Sequence, residues 1–153
     1  MTDLIDEDEI NLGIRRHTDD KLTYKLIIAN AINSCRQSER DYILYENNVH
    51  GLINIIYFDV RGYNLKTQIE KLLKELKAER EKRYKEEENN IPRWKFYKTS
   101  YQHKLKLRLH RWYYTTLFQR ILQILASENL LLETEKLISV KAIEKIDEDE
   151  TLE

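Results

Sequence analysis

Along most of the chain the apolar residues recur every three or four positions, the spacing that lines one face of an α-helix. Asp19 and Asp20 offer an N-cap and a favourable charge for a helix start. Beyond them Leu22, Leu26 and Ala29 form one stripe with Ile28, Ile32 and Cys35 beside it, which predicts helix A over about 20–36. Ser38 reads as the cap of helix B, with Asp41 three residues on completing an approximate capping box. Tyr42, Tyr45, Val49, Leu52, Ile53, Ile56 and Val60 carry that helix to a stop at Arg61 and Gly62, with Gly51 a weak point inside it. Asn64 caps helix C, whose seam is Leu65, Ile69, Leu72, Leu73 and Leu76.

Past Leu76 the seam stops. Residues 77–90 mix acids and bases with almost nothing to bury. Glu70 with Lys74, Glu79 with Arg83 and Glu81 with Lys85 stand at the i, i+4 spacing that supports a solvated helix by about 0.2–0.5 kcal/mol per pair. A projecting helical extension is expected there, broken at Asn89, Asn90 and Pro92, because proline disfavours helical geometry in the residue before it. Thr99 or Ser100 opens helix D, which runs to about Ala126. Leu105, Leu109, Trp112 and Thr116 lie on one of its faces and Leu107, Tyr114, Phe118, Ile121 and Leu125 on another, as in a central helix. Residues 104–110 alternate with period two, as a strand does, but the lack of Gly and Pro through Ile124 decides for a helix. A fifth, short element of open type spans 130–146, with Leu137, Ile138, Ile143 and Ile146 among its apolar positions.

The fold class expected is all-α, a helical bundle of four long helices plus a short C-terminal element. Its organisation reads as an acidic mobile arm over 1–18, one helical domain over 19–146 with the charged projection near 77–90, and an acidic tail over 147–153. A length of 153 residues suits one domain, and Gly 3 and Pro 1 are too few for turn-rich β folds or Gly-rich phosphate loops. The lone Cys35 excludes an internal disulfide and a multi-cysteine zinc site, which fits a reducing, cytoplasmic setting. Asp3 and the acids from Asp6 to Glu9 are the opposite of a secretory signal, and the apolar run from Leu52 to Phe58 is far short of the ~20 residues that span a bilayer. No membrane partner is expected. Abundant Ile, Lys, Asn and Tyr against scarce Ala, Gly and Pro imply an A/T-rich genome, which suits a thermophile, a low-GC bacterium, or a virus or other mobile element of either, without choosing among them.

The net charge of −1 conceals strong segregation. Residues 1–60 sum to −5 and residues 121–153 to −6, whereas 91–120 hold eight cations and no acid. Arg93, Lys95, Lys98, Lys104, Lys106, Arg108, Arg111 and Arg120 alternate there with Trp94, Phe96, Tyr97, Tyr101, Trp112, Tyr113, Tyr114 and Phe118. Phosphates attract the cations and release counterions, and open aromatic rings stack on bases. Lys104, Arg108 and Arg111, at i, i+4 and i+7, form a cationic stripe about 10 Å long on a helix. Arg93, Trp94, Lys95 and Lys98, in or next to the Pro92 loop, complete the expected nucleic-acid-binding set. Against this stands the plainer reading that the aromatics, Trp112 and Tyr114 above all, are core and the cations pair internally.

Catalysis and metals find little footing. Glu46 and His50 are two ligands at i, i+4 without a third, and His103 and His110 have no sequence-local carboxylate to orient them. Asp59 with Glu75 and Lys77 echoes a metal-dependent nuclease pattern but falls on helix rather than on adjacent strands. Cys35 sits on an apolar stripe and reads as core. No cofactor and no metal are expected. Two readings follow: a non-enzymatic nucleic-acid-binding protein, or a structural or regulatory module that self-assembles or docks on an acidic protein surface. In the first, the acidic tail competes with nucleic acid for the basic segment, and removing Lys104, Arg108 and Arg111 together lowers the salt dependence of binding.

Overall fold

The structure, a computed structural model, describes residues 7–59 and 63–136, with residues 7–19 described through their backbone alone. It contains α1 (Glu7–Gln37), α2 (Tyr42–Tyr57), α3 (Lys66–Asn90), the single turn α4 (Arg93–Phe96) and α5 (Thr99–Ser127), with one more helical turn at 133–136. There is no strand among the described residues, so the fold is all-α and bundle-like as expected.

Pairwise contacts give the topology. Tyr24 Oη of α1 donates to the Ile55 carbonyl, while Asn48 Nδ2 donates to the Ser34 carbonyl, so α1 and α2 run antiparallel as a hairpin. Gln68 Nε2 donates to Glu128, Arg83 lies over Trp112 and Arg108 pairs with Glu87, which sets α3 and α5 antiparallel as a second hairpin. The two hairpins share a core in which Ile28, Ile32, Val49, Leu52, Leu65, Leu117, Leu122 and Leu125 lose essentially all contact with water. Fully burying each such side chain is worth about 1.5–3 kcal/mol.

The α3/α5 hairpin is the longer of the two. His110 meets Glu46 and Arg111 lies over Tyr42, the first residue of α2, so the part of α5 before His110 runs beyond the α1/α2 pair. From Thr99 to His110 that overhang is about 16 Å at 1.5 Å per residue. It has its own small core: Phe96 of α4 with Leu105 and Leu109, backed by Tyr84, Ile91 and Tyr101.

Several local expectations change. Helix α1 starts twelve residues before the expected arm ends: 7–18 is helical, and Asp19 and Asp20 lie inside the helix rather than capping it. Glu7, Asp8 and Glu9 favour the positive end of the helix dipole and no proline interrupts. The core face of α1 is Tyr24, Ile28, Ile32 and Cys35, and Leu22 and Leu26 are left exposed. Asp41, not Ser38, caps α2, accepting from the Leu44 amide at 3.2 Å. The Ser38 hydroxyl instead turns back to the Ser34 and Cys35 carbonyls and closes α1. Asn64 does not cap α3: its φ of 52° makes it the left-handed residue of the turn, and Leu65 is the cap position.

Residues 77–90 are helical but not bare. Arg80 lies over Tyr113, Arg83 over Trp112, and Tyr84 packs edge-on against Phe96, so this half of α3 is sheathed by α5 and α4. Glu79 holds Arg83 at 3.4 Å as the spacing suggests, whereas Glu70 accepts from Tyr57. Leu107 is exposed and Tyr113 and Leu117 take its place in the core. The Arg61–Gly62 stop, the later half of the C-terminal element and the acidic tail lie outside the described residues.

Candidate nucleic-acid interface

The free end of the α3/α5 hairpin is where Pro92 forces its break. Pro92 caps one helical turn, and its carbonyl accepts from the Lys95 and Phe96 amides. That turn drives Phe96 into the small core, fully buried, and turns Trp94 outward with 69 % of its surface open. Gln102 of α5 donates to the Phe96 carbonyl and accepts from Tyr84, tying α4 to both long helices. Tyr97 donates to Glu88 at 3.1 Å and Tyr101 donates to Glu87, which further secures the turn. Each of these carboxylates raises the pKa of the phenol it accepts from, because the bond favours the protonated hydroxyl.

A shallow groove of about 500 Å³ opens beside α4, lined by Pro92, Trp94, Lys95, Lys98, Ser100, Tyr101 and Lys104. Its lining contains three lysines and no carboxylate. The Lys98 ammonium lies 5.2 Å from the centre of the Trp94 ring. Helix α5 starts here without a side-chain cap and without an acid in its first turn, so the positive end of its dipole adds to the lysine charge.

Of the seven expected binding residues, four meet in this groove: Trp94, Lys95, Lys98 and Lys104. Arg93 is exposed on the same turn. The stripe on α5 divides. Lys104 faces the groove, whereas Arg108 pairs with Glu87 at 3.0 Å and Arg111 lies over the Tyr42 ring, with 4.7 Å between guanidinium and ring centre. The cations are thus neither all free nor all paired: Arg108 has a carboxylate and Arg111 a ring, while both remain exposed along α5 and Lys104 joins the lysines of the tip. The aromatics sort as their spacing suggests: Tyr113, Tyr114 and Phe118 are core, and Trp112 is half-buried beneath Arg83.

A second polar cluster joins the hairpins. Tyr114 donates to Glu46 at 2.9 Å, His50 Nε2 lies 2.7 Å from the Tyr114 hydroxyl, and His110 Nε2 lies 3.3 Å from the other Glu46 oxygen. With the phenol proton given to Glu46, His50 must be the donor to Tyr114. Burial, then the bond to Glu46, push the Tyr114 pKa upward. Each helix contributes an i, i+4 pair, Glu46 with His50 and His110 with Tyr114. Those spacings are visible in the sequence, but only the packing makes them face one another. Among the described residues no group of three His, Cys, Asp or Glu is placed to hold a metal ion. Glu75 stands 4.0 Å from Lys71 on exposed helix and Asp59 accepts from the Tyr63 amide at 2.9 Å, each held in its own local structure. No helix among the described residues is long and apolar enough to cross a membrane. Comparison with protein-family models, with curated proteins and with solved structures finds no match to this chain.

Proposed function

We propose that this protein is a non-enzymatic nucleic-acid-binding protein whose binding surface is the tip of the α3/α5 hairpin. One observation carries the reading: Trp94, Lys95, Lys98 and Lys104 line a single groove that includes no carboxylate. Lysines lining the groove engage phosphates as point charges, so affinity comes mainly from counterion release and carries little base specificity. The bias toward A/T-rich codons suits a virus or other mobile element as source.

The test is a salt titration of binding to DNA and to RNA with the triple variant Lys95→Ala, Lys98→Ala and Lys104→Ala. The slope of log affinity against log salt is expected to flatten by about 0.7–0.9 for each phosphate that the variant no longer neutralises. Because Arg108 already has a carboxylate partner in Glu87, replacing it alone is expected to change the slope less than replacing any one of the three lysines. An unchanged slope in the lysine variant overturns the reading.

A second reading, a self-assembling or protein-docking module, draws on Leu22 and Leu26, which stand one turn apart and 49 % and 46 % exposed on α1. Sedimentation with and without nucleic acid separates the two: a stable oligomer indifferent to added DNA or RNA favours assembly.

A further inference from the structure

Resting on the nucleic-acid reading above, we propose that the tip groove selects single-stranded nucleic acid, taking one base flat against Trp94 while the phosphodiester runs along Lys95, Lys98 and Lys104. The indole is the large open ring of the groove, at 69 % exposure, and it is presented on a turn that is itself rigidly held: Phe96 is fully buried two residues on, and Gln102 holds the Phe96 carbonyl. A solvent-exposed indole ordinarily costs solubility and tends to be withdrawn against a neighbour. Here the buried Phe96 and the Pro92 cap fix the turn that keeps it out. Lys98 at 5.2 Å steadies the ring by its charge, and the ammonium stays within reach of a phosphate next to a stacked base.

The form of nucleic acid follows from what a ring can touch. A duplex offers base edges in its grooves and hides base faces in its stack, so an exposed indole finds no base face to stack on there. A single strand exposes base faces, and stacking on an aromatic side chain is tolerant of sequence. Charge sets the track. Glu88 accepts from the Tyr97 hydroxyl and Glu87 pairs with Arg108, so acids border the tip on the α3 side and the phosphates are left the lysine side.

The experiment measures binding of the full chain to a short oligothymidylate, to an oligouridylate and to a mixed-sequence duplex of equal length, followed by tryptophan emission and by anisotropy of labelled strands. Both single strands are expected to quench Trp94 and to bind more tightly than the duplex. Trp94→Ala is expected to lower single-strand affinity about 5- to 100-fold without altering the salt slope, with Trp94→Phe intermediate. Equal affinity for strand and duplex, or a Trp94→Ala variant that binds single strands as the parent does, overturns the stacking proposal. If the lysine variants still weaken binding in that case, the nucleic-acid reading survives without it. Absence of binding to any of the probes at low salt overturns both.

Discussion

Tyr114 lies buried on α5 with its hydroxyl bonded to two side chains of α2, Glu46 and His50. Trading that hydroxyl for hydrogen removes the donor to Glu46 and the acceptor of His50 at once. Tyr114→Phe is therefore expected to lower stability by about 1–3 kcal/mol, read as an earlier midpoint in urea unfolding. Other buried acids make the chain sensitive to alkali. Burial holds the Cys35 thiol protonated, its pKa pushed from 9.0 to about 12, and burial likewise raises Tyr45 and Tyr114. These groups keep their protons longer folded than unfolded, so their contribution is intact below the unfolded value and is lost as pH rises through the folded one. For Cys35 the window is pH 9.0 to about 12, with a slope of at most about 1.4 kcal/mol per pH unit. Denaturant unfolding on either side of pH 9 checks this, and Cys35→Val is expected to make the decline shallower.

At the scale of the helix, ends and interiors obey separate rules. Helix α5 closes in a Schellman motif: the Leu130 amide donates to the Leu125 carbonyl at 2.9 Å, the Asn129 amide donates to the Ala126 carbonyl at 3.1 Å, and Asn129 takes the left-handed position with φ 56°. Leu125 and Leu130 are both fully buried, the apolar pairing that accompanies the motif. In the interior of α2, Gly51 is exposed, and a Cβ added there meets nothing within 4 Å. Gly51→Ala is thus expected to stabilise the protein by roughly 0.5–1 kcal/mol through helix propensity alone, visible as a higher thermal midpoint. The period-two stretch at the start of α5 resolves the same way. Leu105 and Leu109, four apart, are buried while Leu107 between them is exposed, which is helix geometry written over a strand-like text.

For the whole molecule, the consequence of unequal hairpins is a tip with a core separate from the main one. Phe96→Ala removes the centre of that small cluster and is expected to speed amide exchange across 93–105 while leaving the amides of 113–125 protected; uniform loss of protection would mean that the two cores unfold as one. Much of the fold was legible beforehand. The helical class, the α3 seam from Leu65 to Leu76, the break at Pro92 and the gathering of cations without acids over 91–120 all follow from local spacing and composition, and local rules govern them. The start of α1 and the cap at Asp41 are local features for which the sequence offers more than one candidate, whereas the sheathing of 77–90 and the choice of Tyr113 over Leu107 depend on which neighbour arrives. The site divided in the same manner. Residue types determined that the region around Trp94 is basic, aromatic and free of acid. Tertiary structure alone decided that Glu87 takes Arg108, that Arg111 lies over Tyr42, and that Lys104 meets Lys95, Lys98 and Trp94 around one groove. The physical reason is reach: propensity and periodicity act within a few residues, whereas charge pairing and burial are settled between groups that the chain brings together across long separations.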